Sequence, residues 1–176
     1  MLDGSASRLN QQELISAQAY ILSESLRKCQ IKNQVTSFCS IRGTTVMQIL
    51  KDFNENDSSK IFRYFASGWN RDALAIMASS HADILLVLTD ANPNDSRPIQ
   101  KNSIAKKSYE GKEAIDDTAL AVRHLRQEGI NVSAIFMGRN DLVDNVKQIY
   151  GKMGYTRIKN MEQFASSAGH LIASQF

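Results

Sequence analysis

The apolar residues of this chain recur at spacings that predict helices alternating with strands. The first helix is expected to begin at Asn10, with Glu13 placed to complete a capping box, and to end at Lys28. Its buried stripe is predicted from residues at helical spacing, which are Leu14, Ile15, Ala19, Ile21, Leu22 and Leu26. Similar patterns predict short helices over residues 60–66 and 70–78, and longer ones over 113–128, 141–150 and 161–176.

Shorter apolar runs predict the strands of a mostly parallel sheet. Residues 35–41 and 45–50 flank an Arg42-Gly43 turn, which favours an antiparallel hairpin. Residues 82–90 contain an uninterrupted apolar run typical of a strand buried on both faces, and further strands are predicted at 130–137 and 155–158. Residues 91–110 are polar, hold both prolines and predict a long loop. This order predicts one α/β domain over residues 1–176, a three-layer Rossmann-like sandwich with helices on both faces and one antiparallel edge strand.

Composition agrees with a globular domain and excludes some classes of function. Of 176 residues, 43% are apolar and 22% are charged, and the net charge is +3. The longest apolar run, Ile84 to Leu88, is too short to span a bilayer. Basic residues do not form a dense block interleaved with aromatic residues, so nucleic acid is not a favoured partner. No signal peptide is visible, and a cytoplasmic protein is expected.

The few sulfur and imidazole side chains suggest no chemistry of their own. Cys29 and Cys39 are expected to be reduced, partly buried thiols. The histidines share no spacing and are expected at the surface or at helix ends; they are His81, His124 and His170. Three methionines at apolar positions are expected to fill the core, namely Met47, Met77 and Met137.

Candidate chemistry lies in oxygen-bearing side chains that follow predicted strands. Asp3, Ser5 and Ser7 alternate at the start of the chain, and Asp90 ends the strand of residues 82–90. Asn70 opens the helix predicted between them. Because sites in open α/β sheets form outside the carboxyl ends of the strands, these side chains are expected at one rim. Hard oxygen ligands of this kind suit Mg²⁺ or Mn²⁺, and a cation offsets the repulsion between neighbouring carboxylates.

Each of these residues also has an ordinary structural interpretation. Ser and Asp are common in turns and at helix N-termini, so the first loop alone is a weak signal. Asp72 suits the first turn of a helix, where the dipole favours a carboxylate. Asn94 and Asp95 fit either a turn or the rim of the site, and Trp69 fits either a partner contact or a buried packing anchor.

Taken together, these segments resemble the von Willebrand factor type A domain. The resemblance rests on residues 3–7, on Asn70 and on Thr89-Asp90, and the order of elements along the whole chain agrees with it. It is strongest to the carboxyl-terminal type A domain of bacterial nitric oxide reductase activation proteins and of cobaltochelatase-subunit-like proteins. The stretches 68–72, 88–95 and 109–118 carry this part of the resemblance.

The resemblance implies a metal-ion-dependent adhesion site on this chain. Asp3, Ser5 and Ser7 would supply its first loop, Asn70 would stand where the family has threonine, and Asp90 would supply the third loop. The ion would be Mg²⁺, or Mn²⁺ or Ca²⁺, with one position left for an Asp or Glu carboxylate of a protein partner. A MoxR-type AAA+ ATPase is the implied partner, in a machine that activates a metalloenzyme or inserts a metal.

The chain also departs from the family pattern. Ala73 and Ala91 stand where glycines are common, which is expected to shift the local backbone. The family's first strand lies in the middle of the sheet, whereas here only Met1 and Leu2 precede Asp3. Either the chain is the carboxyl-terminal piece of a longer protein, which is the favoured expectation, or its sheet is incomplete.

Three functions are compatible with these residues. The first is a non-catalytic, metal-dependent protein-binding module. The second is a Mg²⁺-dependent phosphohydrolase with Asp3 as nucleophile, although such enzymes generally have a second carboxylate where this chain has Ser5. The third is a degenerate type A domain that binds its partner without an ion, which the departures at Asn70, Ala73 and Ala91 favour.

Overall fold

A computed structural model describes residues 1–99 and 107–175 of the chain. Its strands are β1 (Leu2–Asp3), β2 (Val35–Ile41), β3 (Thr44–Lys51), β4 (Ile84–Thr89), β5 (Asp95–Ile99), β6 (Lys107–Tyr109), β7 (Asn131–Phe136) and β8 (Tyr155–Arg157). Its α-helices are α1 (Gln12–Lys28), α2 (Asp72–Met77), α3 (Gly111–Gln127), α4 (Val143–Tyr150) and α5 (Phe164–Ala173).

Six of the strands form one sheet in the order β3-β2-β1-β4-β7-β8. All neighbours in it pair in parallel except β2 and β3, so the predicted parallel sheet with one antiparallel edge strand is confirmed. β1 is only two residues long and lies in the middle, where Leu2 pairs with Ser37 on one side and Leu88 on the other. The short central strand therefore carries Asp3 directly to the carboxyl edge of the sheet.

Helices cover both faces of this sheet, as a three-layer sandwich requires. One core contains side chains of α2, α3 and α4 together with Leu85 and Val87, while the other contains side chains of α1 and α5 together with Leu88. Alternate residues of β4 thus face opposite cores, which explains its uninterrupted apolar run. The expected α/β class and layer arrangement are confirmed.

The prediction of a long loop over residues 91–110 is wrong in part, and residues 100–106 of that stretch lie outside the described residues. β5 and β6 pair antiparallel as a separate two-stranded sheet, with Asp95 opposite Tyr109 and Ile99 opposite Lys107. These short strands are polar, and β5 contains Pro98, so no alternating apolar pattern marks them in the sequence.

Several helix starts differ from those predicted, and the differences share one cause. Short 3₁₀ turns precede or replace α-helix at Ala6–Gln11, Ser59–Arg63, Asn140–Leu142 and Met161–Gln163. Asn10 consequently lies inside a 3₁₀ turn and does not cap α1, which begins at Gln12. α2 begins at Asp72 instead of residue 70, and Phe176, the predicted end of the last helix, lies outside the described residues. Sequence periodicity does not distinguish a 3₁₀ turn from the first turn of an α-helix.

Burial corrects some assignments of single residues. Leu14 and Ile21 are exposed, so the buried stripe of α1 is narrower than predicted. Met77 is also exposed, and Met47 and Met137 are only partly buried. Cys29 is exposed, whereas Cys39 is partly buried, and both are free thiols. The surface positions predicted for the histidines are confirmed, since His81, His124 and His170 are all exposed. Within residues 1–99 and 107–175, none of the helices combines the length and the hydropathy needed to cross a membrane.

Candidate functional site

The structure brings the predicted site residues together at the carboxyl edge of β1 and β4. Asp3 ends β1, and Asp90 directly follows β4. The Ser7 hydroxyl donates a hydrogen bond to Asp90 Oδ2 at 3.2 Å, which joins the first and third loops. Thr89, the last residue of β4, donates to Asp72 Oδ2 at 3.3 Å, which joins the third loop to the second. Side chains far apart in the sequence therefore meet at one rim.

The first loop is held in a tight conformation by its own hydrogen bonds. The Ser5 N–H donates to Asp3 Oδ1 at 2.8 Å, and the Ser5 and Ser7 hydroxyl oxygens lie 2.9 Å apart. Gly4 is needed here for its lack of a side chain, since a Cβ at this position would lie 2.9 Å from the Phe38 carbonyl oxygen. The Tyr64 hydroxyl donates a buried hydrogen bond to the Asp3 carbonyl at 2.6 Å, which fixes the start of the loop.

The second loop places Asn70 and Asp72 beside these groups, both buried. The Asn70 amide nitrogen donates to Asp72 Oδ1 at 2.9 Å, and its Oδ1 accepts from the Asn94 N–H at 3.1 Å. Asn94 also forms two backbone hydrogen bonds with Asn70, at 2.9 and 3.0 Å. Asn70 thus orients Asp72, and Asn94 orients Asn70; the assignment of Asn70 as a metal ligand stays a prediction.

Asp95 supports the second loop from behind. It is buried, and it accepts a hydrogen bond from Arg71 Nε at 2.7 Å and another from the Ser40 hydroxyl. The Arg71 guanidinium lies 5.3 Å from the centre of the Tyr109 ring. Asp95 is therefore an anchor for the residue between Asn70 and Asp72 and is not on the open rim.

Trp69 lies beside the site and is 46% exposed as a residue. Its backbone pairs with Ser40, the N–H donating at 2.9 Å and the carbonyl accepting at 2.6 Å. The interpretation of Trp69 as a buried packing anchor is therefore wrong, and its ring is available at the surface.

Ala91 keeps a backbone conformation that favours glycine. Its φ is 56°, in the left-handed region, and its side chain is buried. Its N–H donates to the Thr89 hydroxyl at 2.9 Å, and its carbonyl accepts from the Asn145 amide at 3.1 Å. The third loop thus contains a left-handed turn, at a cost of about 1–2 kcal/mol for a residue with a Cβ. The backbone shift expected from Ala73 and Ala91 relative to the family pattern stays a prediction.

Arg8 is the main feature of the site that sequence reasoning missed. Its Nε lies 3.6 Å from Asp3 Oδ2, its Nη2 lies 3.7 Å from Asp90 Oδ2, and its Nη1 donates to the Met137 carbonyl at 3.1 Å. The side chain is only 5% exposed. A charged residue in a polar stretch is usually solvated, so there was little reason in the sequence to place Arg8 in the site. Its position directly after Ser7 was the one available signal.

Burial, and after it the repulsion between carboxylates, sets the electrostatics of this rim. Burial, and then the charge of Asp90, raises the pKa of Asp3 to about 6, while Arg8 and hydrogen bonds from Ser5 act in the opposite direction. Burial, followed by the charges of Asp3 and Asp90, raises the pKa of Asp72 well above its usual value. A cation placed among these groups would relieve the cost of their charge.

Asp3 offers the clearest test of whether such a cation fits. Its Oδ2 is buried and has no hydrogen-bond partner among the described residues. Buried carboxylate oxygens are normally satisfied, so this atom is suited to a further ligand. Across residues 1–99 and 107–175, Asp, Glu, His and Cys side chains alone do not form a group of three that could hold a metal ion. A metal here would need the Ser5 and Ser7 hydroxyls as well as Asp3 and Asp90.

Comparison with known proteins gives relatives for the sequence and for the fold. No family model matches the chain. It is 25% identical over 154 residues to Protein NorD of Brucella suis biovar 1 (strain 1330), covering 80% of this chain and 23% of that protein. Protein NorD of Brucella abortus (strain 2308) gives the same identity and coverage. The chain is thus similar to NorD, and it spans less than a quarter of the length of these relatives.

Two solved structures share the fold. The pilus adhesin SpaC of Lactobacillus rhamnosus GG, in its open conformation, superposes with a TM-score of 0.71 and 11% identity, over 98% of this chain and 29% of that one. The minor pilin PilB of Streptococcus sanguinis gives a TM-score of 0.62 and 12% identity, over 98% of this chain and 59% of that one. At such low identity the likeness concerns the fold alone.

Proposed function

We propose that this chain is a type A domain that binds another protein through a divalent metal ion, and that it is not an enzyme. The observation that carries the proposal is the buried Oδ2 of Asp3, which has no hydrogen-bond partner within residues 1–99 and 107–175 and lies at a rim shared with Asp90 and two serine hydroxyls. These are hard oxygen donors, and the nearby carboxylates repel one another without a cation.

The ion would be held by Asp3, Ser5, Ser7 and Asp90, with Asn70 beside them. Mg²⁺ is the first candidate and Mn²⁺ or Ca²⁺ the alternatives, because all three prefer oxygen ligands. When bound, the ion would supply an exchangeable position for a carboxylate of the partner. Asp72 and Arg71 would keep the second loop in place, as their hydrogen bonds to Asn70 and Asp95 indicate.

The similarity to NorD supports a role in activating nitric oxide reductase. A MoxR-type AAA+ ATPase is the partner that we propose, and the cytoplasm is the proposed location. Large apolar side chains near the rim suit such a contact: Phe65 is 61% exposed, Trp69 46% and Leu9 49%. Exposed aromatic residues are common centres of protein interfaces. The partner would then contact both the ion and these three apolar side chains.

Calorimetric titration of MnCl₂ into the EDTA-stripped protein tests the metal site directly. We expect saturable binding by the wild type and at least a tenfold loss of affinity in Asp3→Ala, because Asp3 would supply a charged ligand that water replaces poorly. Asp144→Asn is the matched control, since this carboxylate is 92% exposed and should leave the affinity unchanged.

Identical, null heats for the wild type and Asp3→Ala would overturn the metal-dependent proposal. Capture of the partner ATPase in EDTA, as strong as in Mg²⁺, would instead favour a domain that binds without an ion. The observation that favours this second candidate is the proximity of Arg8 to Asp3 and Asp90, because its positive charge can stand in for that of an ion.

A further inference from the structure

The buried guanidinium of Arg8 lies among the carboxylates that the proposed ion would need. It reaches toward Asp3 with Nε and toward Asp90 with Nη2, at 3.6 and 3.7 Å. Asp3 is fully buried and the Asp90 side chain is 17% exposed, so solvent screens these charges only weakly. One positive charge thus faces both carboxylates.

Arg8 is close to these carboxylates without being bonded to them. Distances of 3.6 and 3.7 Å are too long for hydrogen bonds, whereas buried Arg–carboxylate pairs usually form them at 2.7–2.9 Å. Arg8 Nε, Arg8 Nη2 and Asp3 Oδ2 all lack a hydrogen-bond partner among the described residues. Only Nη1 is fixed, by the Met137 carbonyl at 3.1 Å. The guanidinium therefore offsets the negative charge of the two carboxylates, while its distance leaves their oxygens free to bind another ligand.

We propose that Arg8 is a built-in cation that competes with the divalent ion for Asp3 and Asp90. This inference rests on the proposed metal-dependent function and adds its regulation. Without the ion, Arg8 offsets the repulsion between the two carboxylates and keeps the loops folded. With the ion, the guanidinium faces a second positive charge at short range, so it weakens binding or has to move away from the site.

Such competition makes the site respond to a partner. A protein that draws Arg8 away, through a carboxylate of its own, would raise the affinity of the site for the ion. Metal and partner would then bind with positive coupling, each increasing the affinity for the other.

The experiment compares MnCl₂ binding by the wild type, Arg8→Gln and Arg8→Lys after removal of metal with EDTA. Gln keeps polarity and most of the length but removes the charge, so we expect at least about a tenfold gain in affinity for Arg8→Gln. Arg8→Lys keeps the charge and should stay within about threefold of the wild type. Arg139→Gln is the matched control, because Arg139 is also near Asp90 but 78% exposed, and its loss should change affinity less than threefold.

Thermal unfolding in EDTA and in MnCl₂ covers the case in which Arg8→Gln folds poorly without metal. We expect a lower melting temperature than the wild type in EDTA, a larger gain on adding MnCl₂, and recovery in EDTA when Asp90→Asn is added to Arg8→Gln. The added substitution removes the carboxylate charge left without its counter-ion.

The outcomes separate this inference from the function on which it rests. Equal or weaker Mn²⁺ binding by Arg8→Gln, with normal binding by the wild type, would overturn the competition and leave the metal site standing. Binding by Arg8→Gln but not by the wild type would overturn metal binding as the function of the natural chain, while still supporting the opposition between Arg8 and the ion. Absence of binding in both, with no change in melting temperature on adding MnCl₂, would overturn the competition and the metal site together.

Discussion

Asp3 is a carboxylic acid whose surroundings favour its protonated form. It is completely buried, Asp90 adds a negative charge nearby, and Arg8 offsets only part of the effect. Together these raise its pKa from the ordinary 3.8 to about 6. The folded protein therefore holds a proton that the unfolded chain has already released between these two values.

The contribution of Asp3 to the free energy of unfolding should consequently fall as the pH rises from about 4 to about 6 in EDTA. The stabilisation from protonated Asp3 is fully present below pH 4 and is lost through pH 6, by up to about 3 kcal/mol. Urea denaturation of the wild type and of Asp3→Asn at pH 4, 5, 6 and 7 measures this loss. The wild type should become less stable relative to Asp3→Asn as the pH rises across this window.

The pair of proteins is needed because other carboxyls contribute the opposite slope. Hydrogen bonds and nearby cations lower the pKa of several acids that are partly or fully exposed, including Glu24, Asp52 and Asp141. Those contributions are common to both proteins and cancel in the difference. A difference that does not change between pH 4 and 6 would show that Asp3 titrates normally.

Single residues of the site could be predicted from sequence when they followed a recognisable strand. Asp90 closes the apolar run of β4, and the alternation of Asp3, Ser5 and Ser7 placed their oxygens on one loop. Arg8 could not be predicted, because its burial depends on the Met137 carbonyl and on carboxylates contributed by two separate loops. No local pattern records such a contact.

β1 is the element on which the first loop depends. It pairs with β2 on one side and β4 on the other. The N–H of Gly4, directly after β1, donates to the Phe38 carbonyl at 2.8 Å. Ser67 in turn donates to the Gly4 carbonyl at 2.7 Å. Backbone groups therefore approach Gly4 from both sides and leave no room for a side chain.

Gly4→Ala should lower the free energy of unfolding by about 1–3 kcal/mol, the usual cost of overpacking. The new Cβ would meet the Phe38 carbonyl oxygen at 2.9 Å, and that oxygen belongs to a paired strand that cannot easily move. Urea denaturation measures the loss. Mn²⁺ affinity should fall with it, since Asp3 and Ser5 flank the displaced residue.

Gly169→Ala provides the control for this substitution. Gly169 lies within α5 and has open space around its Cβ position, so alanine should stabilise the protein by about 0.5–1 kcal/mol. A Gly4→Ala protein as stable as the wild type would mean that β1 and β2 are less tightly joined than the structure shows.

Elements with strong apolar periodicity were predictable, and those held by polar contacts were not. β4 and α3 were found because their buried side chains repeat at the spacing of a strand and of a helix. β5 and β6 were missed because their pairing is stabilised through Asp95, which contacts Arg71 and Ser40 elsewhere in the chain. A polar strand is specified by its tertiary partners and not by its own sequence.

At the scale of the whole molecule, the two thiols lie in parts of the fold that differ in solvent exposure. Cys29 is exposed after α1, whereas Cys39 lies within β2 and is partly buried. Burial, and then the charge of Asp3, raises the pKa of Cys39 and reduces its thiolate fraction.

Labelling with a chromogenic disulfide at pH 8 should therefore give two phases in the native protein. Cys29 should react first and Cys39 at least about tenfold more slowly, because both access and thiolate content are lower for Cys39. Cys29→Ser and Cys39→Ser assign the phases, and both thiols should react alike in concentrated urea. Equal native rates would contradict the position of Cys39 in the sheet.

The hydrogen bond between Ser7 and Asp90 joins positions 83 residues apart in the chain. No such arrangement survives in a disordered polypeptide, so whatever occupies this rim binds the native form selectively. An occupant present at a hundred times its dissociation constant would add about 2.7 kcal/mol to the stability of the entire domain. A small ligand confined to one corner would thus protect distant helices from heat and proteolysis.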